Sequence, residues 1–321
     1  MHNVLAAVDR SVASFDPTSR FVSAGRTVIA LAQLTVLWFT PSEKYFVPLL
    51  GEFVEPQCRT AVDRISLYCF GWGEGRLVET VVASLVLISV VVGVLPRLTA
   101  VLHWWVSLSI STSFALVDGG EAVAQVATFF LVLICAGDGR TWQWGARTPP
   151  RDRSRLAPVS WAGHIGLRVQ MAYVYLDSSL SKLAVPDWQQ GSAVYYVLRG
   201  EFFGAGNWLG RVVADLSGVP VVALTLTWGT IALEVAIAVL LLVRNRWRVV
   251  ALALCVLLHL GIVAVVGLWS FGLIMMGAVV VCTAGWQWVR LPAADADGSA
   301  PPVPQHSAPG AVDPERERSL A

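Results

Sequence analysis

The residues best suited to proton chemistry lie on one predicted helix that ends near Lys182. Arg168, Tyr175 and Lys182 follow one another at intervals of seven residues. Residues seven apart on an α-helix differ by only about 20° in direction, so the three side chains share one face. Ionisable groups within an apolar helix are costly and are candidates for function. If water is excluded, the amine of Lys182 can lose its proton and act as a base, with Tyr175 and Asp177 as catalytic neighbours.

Lys182 also has a purely structural interpretation. A lysine at the end of a membrane span can lay its methylene groups along apolar surface and keep its ammonium group in water. However, Tyr175, Ser178 and Ser179 form a polar stripe that leads inward from Lys182. An anchoring lysine does not need such a stripe. The stripe therefore favours a role of Lys182 as a base, but both interpretations stay open.

A second pair of ionisable residues, Glu234 and His259, lies in the middle of two further apolar runs. Glu234 lies ten residues before the short basic segment 244–248, and His259 lies eleven residues after it. Antiparallel helices joined by such a segment place the two residues at similar depth, which predicts a hydrogen bond between them. One interpretation is that this hydrogen bond clamps the two helices together and contributes about 1 kcal/mol. The other is that it belongs to a proton relay or to a quinone contact.

The chain that must position these groups has the composition of a membrane protein. It is 55% hydrophobic and 14% charged, with a mean hydropathy of +0.63, whereas soluble domains carry about 25% charged residues. An apolar run of about 20 residues spans a bilayer as a helix. These features predict an all-α integral membrane protein with about eight transmembrane helices, at 24–40, 77–95, 98–117, 121–136, 161–182, 219–243, 249–267 and 269–289.

The basic residues predict the orientation of these spans. Most of the 23 lysines and arginines fall on the cytoplasmic side if the N-terminus is placed inside, as the positive-inside rule expects. We therefore predict a multi-pass plasma-membrane protein with both termini in the cytoplasm. Residues 1–290 form the transmembrane domain, and the Ala/Pro/Gly-rich residues 291–321 form a disordered tail. A net charge of +1 gives no electrostatic reason to expect nucleic acid as a partner.

Two long outer loops follow from this topology. The loop at 41–76 holds Cys58 and Cys69, which can form a disulfide in an oxidising compartment. Two free thiols or a redox-active pair are the alternatives, and the cysteine spacing does not indicate a metal site.

The second outer loop, at 183–218, is too apolar for a fully solvated loop and is predicted to be a re-entrant or interfacial segment. Its aromatic residues Trp188, Tyr195 and Tyr196 are candidates for substrate binding, together with Arg168 on the preceding helix.

The sequence YLDSSLSKL at 175–183, followed by Asp187-Trp188 and Gly191, resembles the signature of the HTTM superfamily. These membrane proteins are related to the vitamin K-dependent gamma-glutamyl carboxylase. Within the superfamily the chain is similar to the sporulation-delaying protein B family, in its eight-span length, its cysteine-bearing first outer loop and the run HLGIVAVVGLWSFGLIM that starts at His259. The resemblance covers about residues 15–290.

The resemblance implies that Lys182 matches the carboxylase lysine that deprotonates vitamin K hydroquinone, so a quinone or hydroquinone is the implied cofactor. It also implies a role in maturing a secreted antimicrobial peptide. The implied partners are the peptide precursor, a small sporulation-delaying protein A-like protein and the lipid bilayer. The carboxylase has a second lysine where this chain has Ser181, and a large lumenal domain that holds its substrate. Substrate docking is therefore expected from the outer loops or a partner.

The sequence leaves several functions open. The first is a membrane factor for peptide maturation that uses Lys182 as a base in quinol-coupled chemistry. The second is a non-catalytic export or immunity component that binds a peptide through its outer aromatic residues. Another is a carboxylase-like enzyme with a different substrate. A transporter would be expected to show inverted repeats and broken helices, which we do not see in the sequence.

Overall fold

The computed structural model describes residues 2–41, 45, 56, 58, 60, 63–71, 77–114, 119–146, 155–201, 203–243 and 245–285. The predicted tail at 291–321 lies outside these residues. Within the described ranges the fold is all-helical, with twelve α-helices. In chain order they are α1 (His2–Ser14), α2 (Arg20–Phe39), α3 (Leu77–Val92), α4 (Pro96–Ser113), α5 (Gly119–Cys135), α6 (Ala157–Leu183), α7 (Pro186–Gln189), α8 (Ala193–Val197), α9 (Trp208–Leu216), α10 (Pro220–Leu242), α11 (Asn245–Val266) and α12 (Trp269–Cys282).

Each of the eight apolar runs predicted from the sequence coincides with one of the longer helices, namely α2, α3, α4, α5, α6, α10, α11 and α12. Among the described residues, three helices are long and apolar enough to cross a membrane by length and composition: α2, α10 and the part Arg246–Val266 of α11. Helices α3, α5 and α12 are apolar but shorter. The chain is therefore a helical protein with several membrane-compatible helices, and eight complete spans stay a prediction.

Four helices were not predicted from the sequence. Helix α1 precedes the first predicted span, and it is held to α6 by a hydrogen bond from Trp161 Nε1 to Ser11 Oγ (2.9 Å). The outer segment 183–218 contains the short helices α7, α8 and α9. The chain turns between α7 and α8 at Gly191, which has φ +79° and lies directly against Leu224 of α10. A side chain at Gly191 would be strained by this φ and would collide with Leu224.

Helix α12 is central because it packs against α2, α5, α6 and α11. It approaches α2 closely where Gly25 faces Gly277, and a Cβ at either glycine would collide with the backbone oxygen of the other. Small residues at such crossings allow membrane helices to pack backbone to backbone. On the other side of α12, helix α10 packs against both α6 and α11, and the candidate site lies in the interior space between these helices.

The outer cysteines lie next to α4. Cys58 and Cys69 form a disulfide with a Cα–Cα distance of 5.8 Å. The short 3-10 helix that ends at Cys69 is fixed to α4, since the Leu67 N–H donates to Ser109 Oγ at 2.9 Å. The adjacent Ser66 and Ser113 hydroxyls are 2.6 Å apart. The disulfide-bearing segment is therefore anchored to the helical bundle.

Candidate functional site

An ion pair between Lys182 and Glu234 forms the centre of the site. Lys182 lies in the last turn of α6 and Glu234 in the middle of α10. The ammonium Nζ donates to both carboxylate oxygens, at 2.7 Å and 2.9 Å. The Lys182 side chain is 21% exposed and the Glu234 side chain 9% exposed. The lysine therefore turns toward the neighbouring helix, and both charges are largely removed from solvent.

Two serines of α6 complete the coordination of the carboxylate. Ser178 Oγ donates to Glu234 Oε1 at 3.2 Å and accepts from Lys182 Nζ at 2.6 Å. Ser179 Oγ is 3.3 Å from Glu234 Oε2. The polar stripe that the sequence places below Lys182 thus surrounds Glu234. The Ser179 hydroxyl proton is shared with the Tyr175 carbonyl, which is 2.9 Å away. The ammonium group and the two hydroxyls together hold the Glu234 carboxylate in one position.

A second polar contact joins α6 to α11. Tyr175 OH is 2.9 Å from His259 Nε2 and 3.2 Å from Cys255 Sγ. All three side chains are buried, and the His259 ring packs edge-on against Phe271 at 5.2 Å. His259 Nδ1 is buried without a hydrogen-bond partner among the described residues. His259 is therefore held in place through Nε2 alone within this part of the chain.

The hydrogen bond that the sequence predicts between Glu234 and His259 is not what the structure shows. Glu234 bonds to Lys182, Ser178 and Ser179, and His259 bonds to Tyr175. The reason is that α6 packs on α10 and brings polar groups within reach of both residues. Counting residues along two antiparallel helices cannot reveal a third helix that provides nearer partners.

These groups line a cavity of about 890 Å³ between α6, α10, α11 and α12, which is covered by parts of α8 and α9. Its walls are mostly aliphatic and aromatic. The ionisable groups of the wall are Lys182, Glu234, His259, Asp177 and the two tyrosines Tyr173 and Tyr175. A ligand with an apolar body and a few hydrogen-bonding groups matches such a wall.

The structure brings together most of the residues predicted for the site, but not all of them. Trp188 lines the cavity, with its ring centroid 5.3 Å from Lys182 Nζ. Arg168 shares the α6 face but lies outside the cavity lining, where its Nε and Nη2 donate to the Leu241 carbonyl. Tyr195 and Tyr196 also lie outside the lining, and Tyr195 stacks under Arg199 at 3.8 Å. These three residues are therefore separate from the cavity.

The sequence analysis did not identify Cys255 as a site residue. It appears in the sequence as one more small apolar side chain within a span, and only the packing of α11 on α6 places its thiol beside Tyr175. Among the described residues no group of three or more His, Cys, Asp or Glu side chains is arranged to hold a metal ion.

We expect Tyr175→Phe to lower the free energy of unfolding by about 1–3 kcal/mol, because it leaves a buried His259 nitrogen without its partner. The matched control is Tyr173→Phe. Tyr173 lies two residues earlier on the same helix, is 59% exposed and makes only a long 3.5 Å contact with Asp177. Thermal unfolding of the purified protein in detergent measures both variants. Equal melting temperatures for the two would show that the Tyr175 hydroxyl contributes nothing to stability.

Comparison with known proteins gives three findings. A family model described as HTTM domain matches residues 82–286. The uncharacterized protein YitO of Bacillus subtilis (strain 168) is 30% identical over 269 residues, which cover 83% of this chain and 85% of YitO. The sporulation-delaying protein SdpB of the same organism is 25% identical over 280 residues, which cover 87% of this chain and 85% of SdpB. No solved structure matches the chain.

Proposed function

This chain belongs to the HTTM family, as an SdpB-like member, and on that premise we propose that it acts in the production of a sporulation-delaying-type peptide. The similarity to SdpB extends over most of both chains, which supports a shared role. The proposed location is the plasma membrane, with eight membrane-crossing helices and both termini in the cytoplasm. The proposed partners are a secreted peptide precursor and a small sporulation-delaying protein A-like protein.

The observation that supports a chemical role is that the Lys182–Glu234 ion pair lies in the wall of an apolar cavity. A general base must reach its target within hydrogen-bonding distance and must be able to release its own proton. The 2.7 Å hydrogen bond to Glu234 Oε1 gives the Nζ proton a route to the carboxylate. The amine then accepts a proton from a group bound in the cavity, and Glu234 releases its own proton to solvent, which restores the ammonium–carboxylate pair.

The cavity also fits the hydroquinone that the family resemblance implies. Its aliphatic and aromatic wall would hold an apolar ring system, and Lys182, Glu234 and His259 offer hydrogen-bonding partners for hydroxyl groups. When bound, a hydroquinone would supply electrons to O₂ and so generate a base stronger than any side chain. Lys182 and Glu234 would exchange the proton, Ser178 and Ser179 would hold the carboxylate in place, and the apolar wall would exclude water.

A second candidate function is non-catalytic binding of a peptide. It is favoured by aromatic side chains that lie outside the cavity lining on the outer segment. Tyr196 of α8 is 56% exposed and Trp208 at the start of α9 is 70% exposed. Large exposed aromatic groups bind apolar peptide segments well. If the chain only binds the peptide, proton transfer at Lys182 and Glu234 is not needed for peptide production.

The test is a strain that expresses the precursor and the small partner with and without this chain. We expect active peptide in the medium only when the chain is present, and an unmatured precursor when it is absent, as measured by killing of sensitive cells and by mass spectrometry. Release of the same mature peptide without the chain would contradict the proposed function. A larger loss with Tyr196→Ala and Trp208→Ala than with substitutions at Lys182 would favour the binding role.

A further inference from the structure

A cluster of basic side chains lies at the opposite end of α6 from the cavity, where α10 ends and α11 begins. Arg168 is buried, and both its Nε (3.1 Å) and its Nη2 (2.8 Å) donate to the carbonyl of Leu241 in the last turn of α10. A single carbonyl therefore takes two of the five donors of the guanidinium group. It offers a partial negative charge at a helix C-terminus but no full counter-charge.

Arg248 adds a second guanidinium group at the same place. It lies in the first turn of α11, and its Nε is buried without a hydrogen-bond partner within the described part of the chain. Arg168 reaches the last turn of α10 and Arg248 lies in the first turn of α11, so both guanidinium groups lie at the junction of these two helices. Neither arginine forms an ion pair with a carboxylate of the described residues. This end of the bundle thus holds two positive charges that have no acidic partner among the described residues.

Such an arrangement costs free energy unless an anion is bound, because partly buried like charges repel each other and have lost hydration. We propose that Arg168 and Arg248 form a binding site for a phosphate group, supplied by the headgroup of an anionic phospholipid. Guanidinium groups match phosphate oxygens in geometry as well as charge.

The surroundings indicate a lipid as the source of the phosphate. Trp247 lies beside Arg248 and is 43% exposed. Tryptophan beside basic residues at a helix end is typical of the headgroup region of a membrane. Basic pockets between helices at this depth bind anionic headgroups. The inference is independent of the cavity and of the proposed role in peptide production.

The experiment measures lipid binding to the full-length protein, purified in detergent, by native mass spectrometry. Phosphatidylglycerol and phosphatidylcholine are added in parallel, and inorganic phosphate is added in a separate arm. We expect phosphatidylglycerol to be retained at least tenfold more than phosphatidylcholine. Arg248→Gln should remove this preference, since it deletes one of the two charges without breaking a hydrogen bond. Arg246→Gln is the matched control, because it removes an exposed charge two residues away, and it should keep the preference within about twofold.

Equal retention of the two lipids by the wild-type protein, or unchanged retention by Arg248→Gln, would overturn the lipid site. Saturable binding of inorganic phosphate that Arg248→Gln abolishes, with no preference between the lipids, would assign the same cluster to a free phosphate anion. The melting temperature of Arg248→Gln in the absence of lipid shows whether the variant is folded. If Arg248→Gln melts at a lower temperature than the wild-type protein, Arg248→Lys is measured as well. This variant keeps the charge and should retain part of the preference for phosphatidylglycerol.

Discussion

Replacing Lys182 with alanine is expected to lower the yield of active peptide at least 100-fold, while the protein still inserts into the membrane. Positioned general bases contribute about 10²–10⁴-fold to a reaction, and alanine removes the only amine that lines the cavity within the described residues. The yield is measured by serial dilution of culture medium on sensitive cells. Blots of membrane fractions correct for protein level.

Lys182→Arg separates chemistry from charge. Arginine keeps the positive charge and can still pair with Glu234, but it does not release its proton near neutral pH. We therefore expect this variant to be as inactive as Lys182→Ala. The control is Arg211→Ala, which removes an exposed cation from α9 and should leave the yield unchanged. Full activity of Lys182→Arg would show that the lysine is a positively charged anchor, and the catalytic version of the proposal would then be wrong.

The sequence predicts the direction of side chains on a helix better than their neighbours. The seven-residue spacing places Tyr175 and Lys182 on one face, and both line the cavity. Arg168 has the same spacing, yet it lies 14 residues from Lys182, or roughly 21 Å along the helix axis. It therefore belongs to the other end of the bundle. Periodicity defines a face, but distance along that face decides which side chains share a site.

Contacts between helices could not be predicted because hydropathy says nothing about the order in which helices pack. One example is a buried polar network between α2, α4 and α5. Gln33 donates to Glu121 at 2.8 Å and lies within hydrogen-bonding distance of Ser107 and His103. Each of these residues appears in the sequence as an isolated polar interruption of an apolar run. Their pairing becomes visible only when the three helices are placed side by side.

The short helices of the outer segment were missed for a different reason. Helices α7 and α8 have four and five residues, far below the length at which apolar periodicity gives a signal. Their formation depends on local features such as Pro186 at the start of α7 and the left-handed turn at Gly191. Helix α8 is held against the bundle by a hydrogen bond from the Val194 N–H to Thr227 Oγ1 of α10 (3.2 Å).

The last prediction concerns Glu234 and tests whether the ion pair serves stability or chemistry. Glu234→Ala is expected to lower the free energy of unfolding by about 3 kcal/mol, because removing one partner leaves the Lys182 charge uncompensated in a mostly apolar wall. This value lies at the low end of the range expected for breaking a buried ion pair, because the Lys182 side chain is still 21% exposed. Denaturant titration or thermal unfolding of the purified protein measures the change.

The double variant Lys182→Met/Glu234→Leu separates the two roles. Replacing both charged partners by apolar side chains of similar volume is often neutral or stabilising, so we expect most of the lost stability to return. Activity should not return, because neither an amine nor a carboxylate is left to move a proton. A double variant as unstable as Glu234→Ala would mean that Glu234 stabilises the fold through Ser178 and Ser179 instead of Lys182. Peptide production by a stable double variant would refute proton transfer at this pair, and the outer aromatic surface would then become the better explanation.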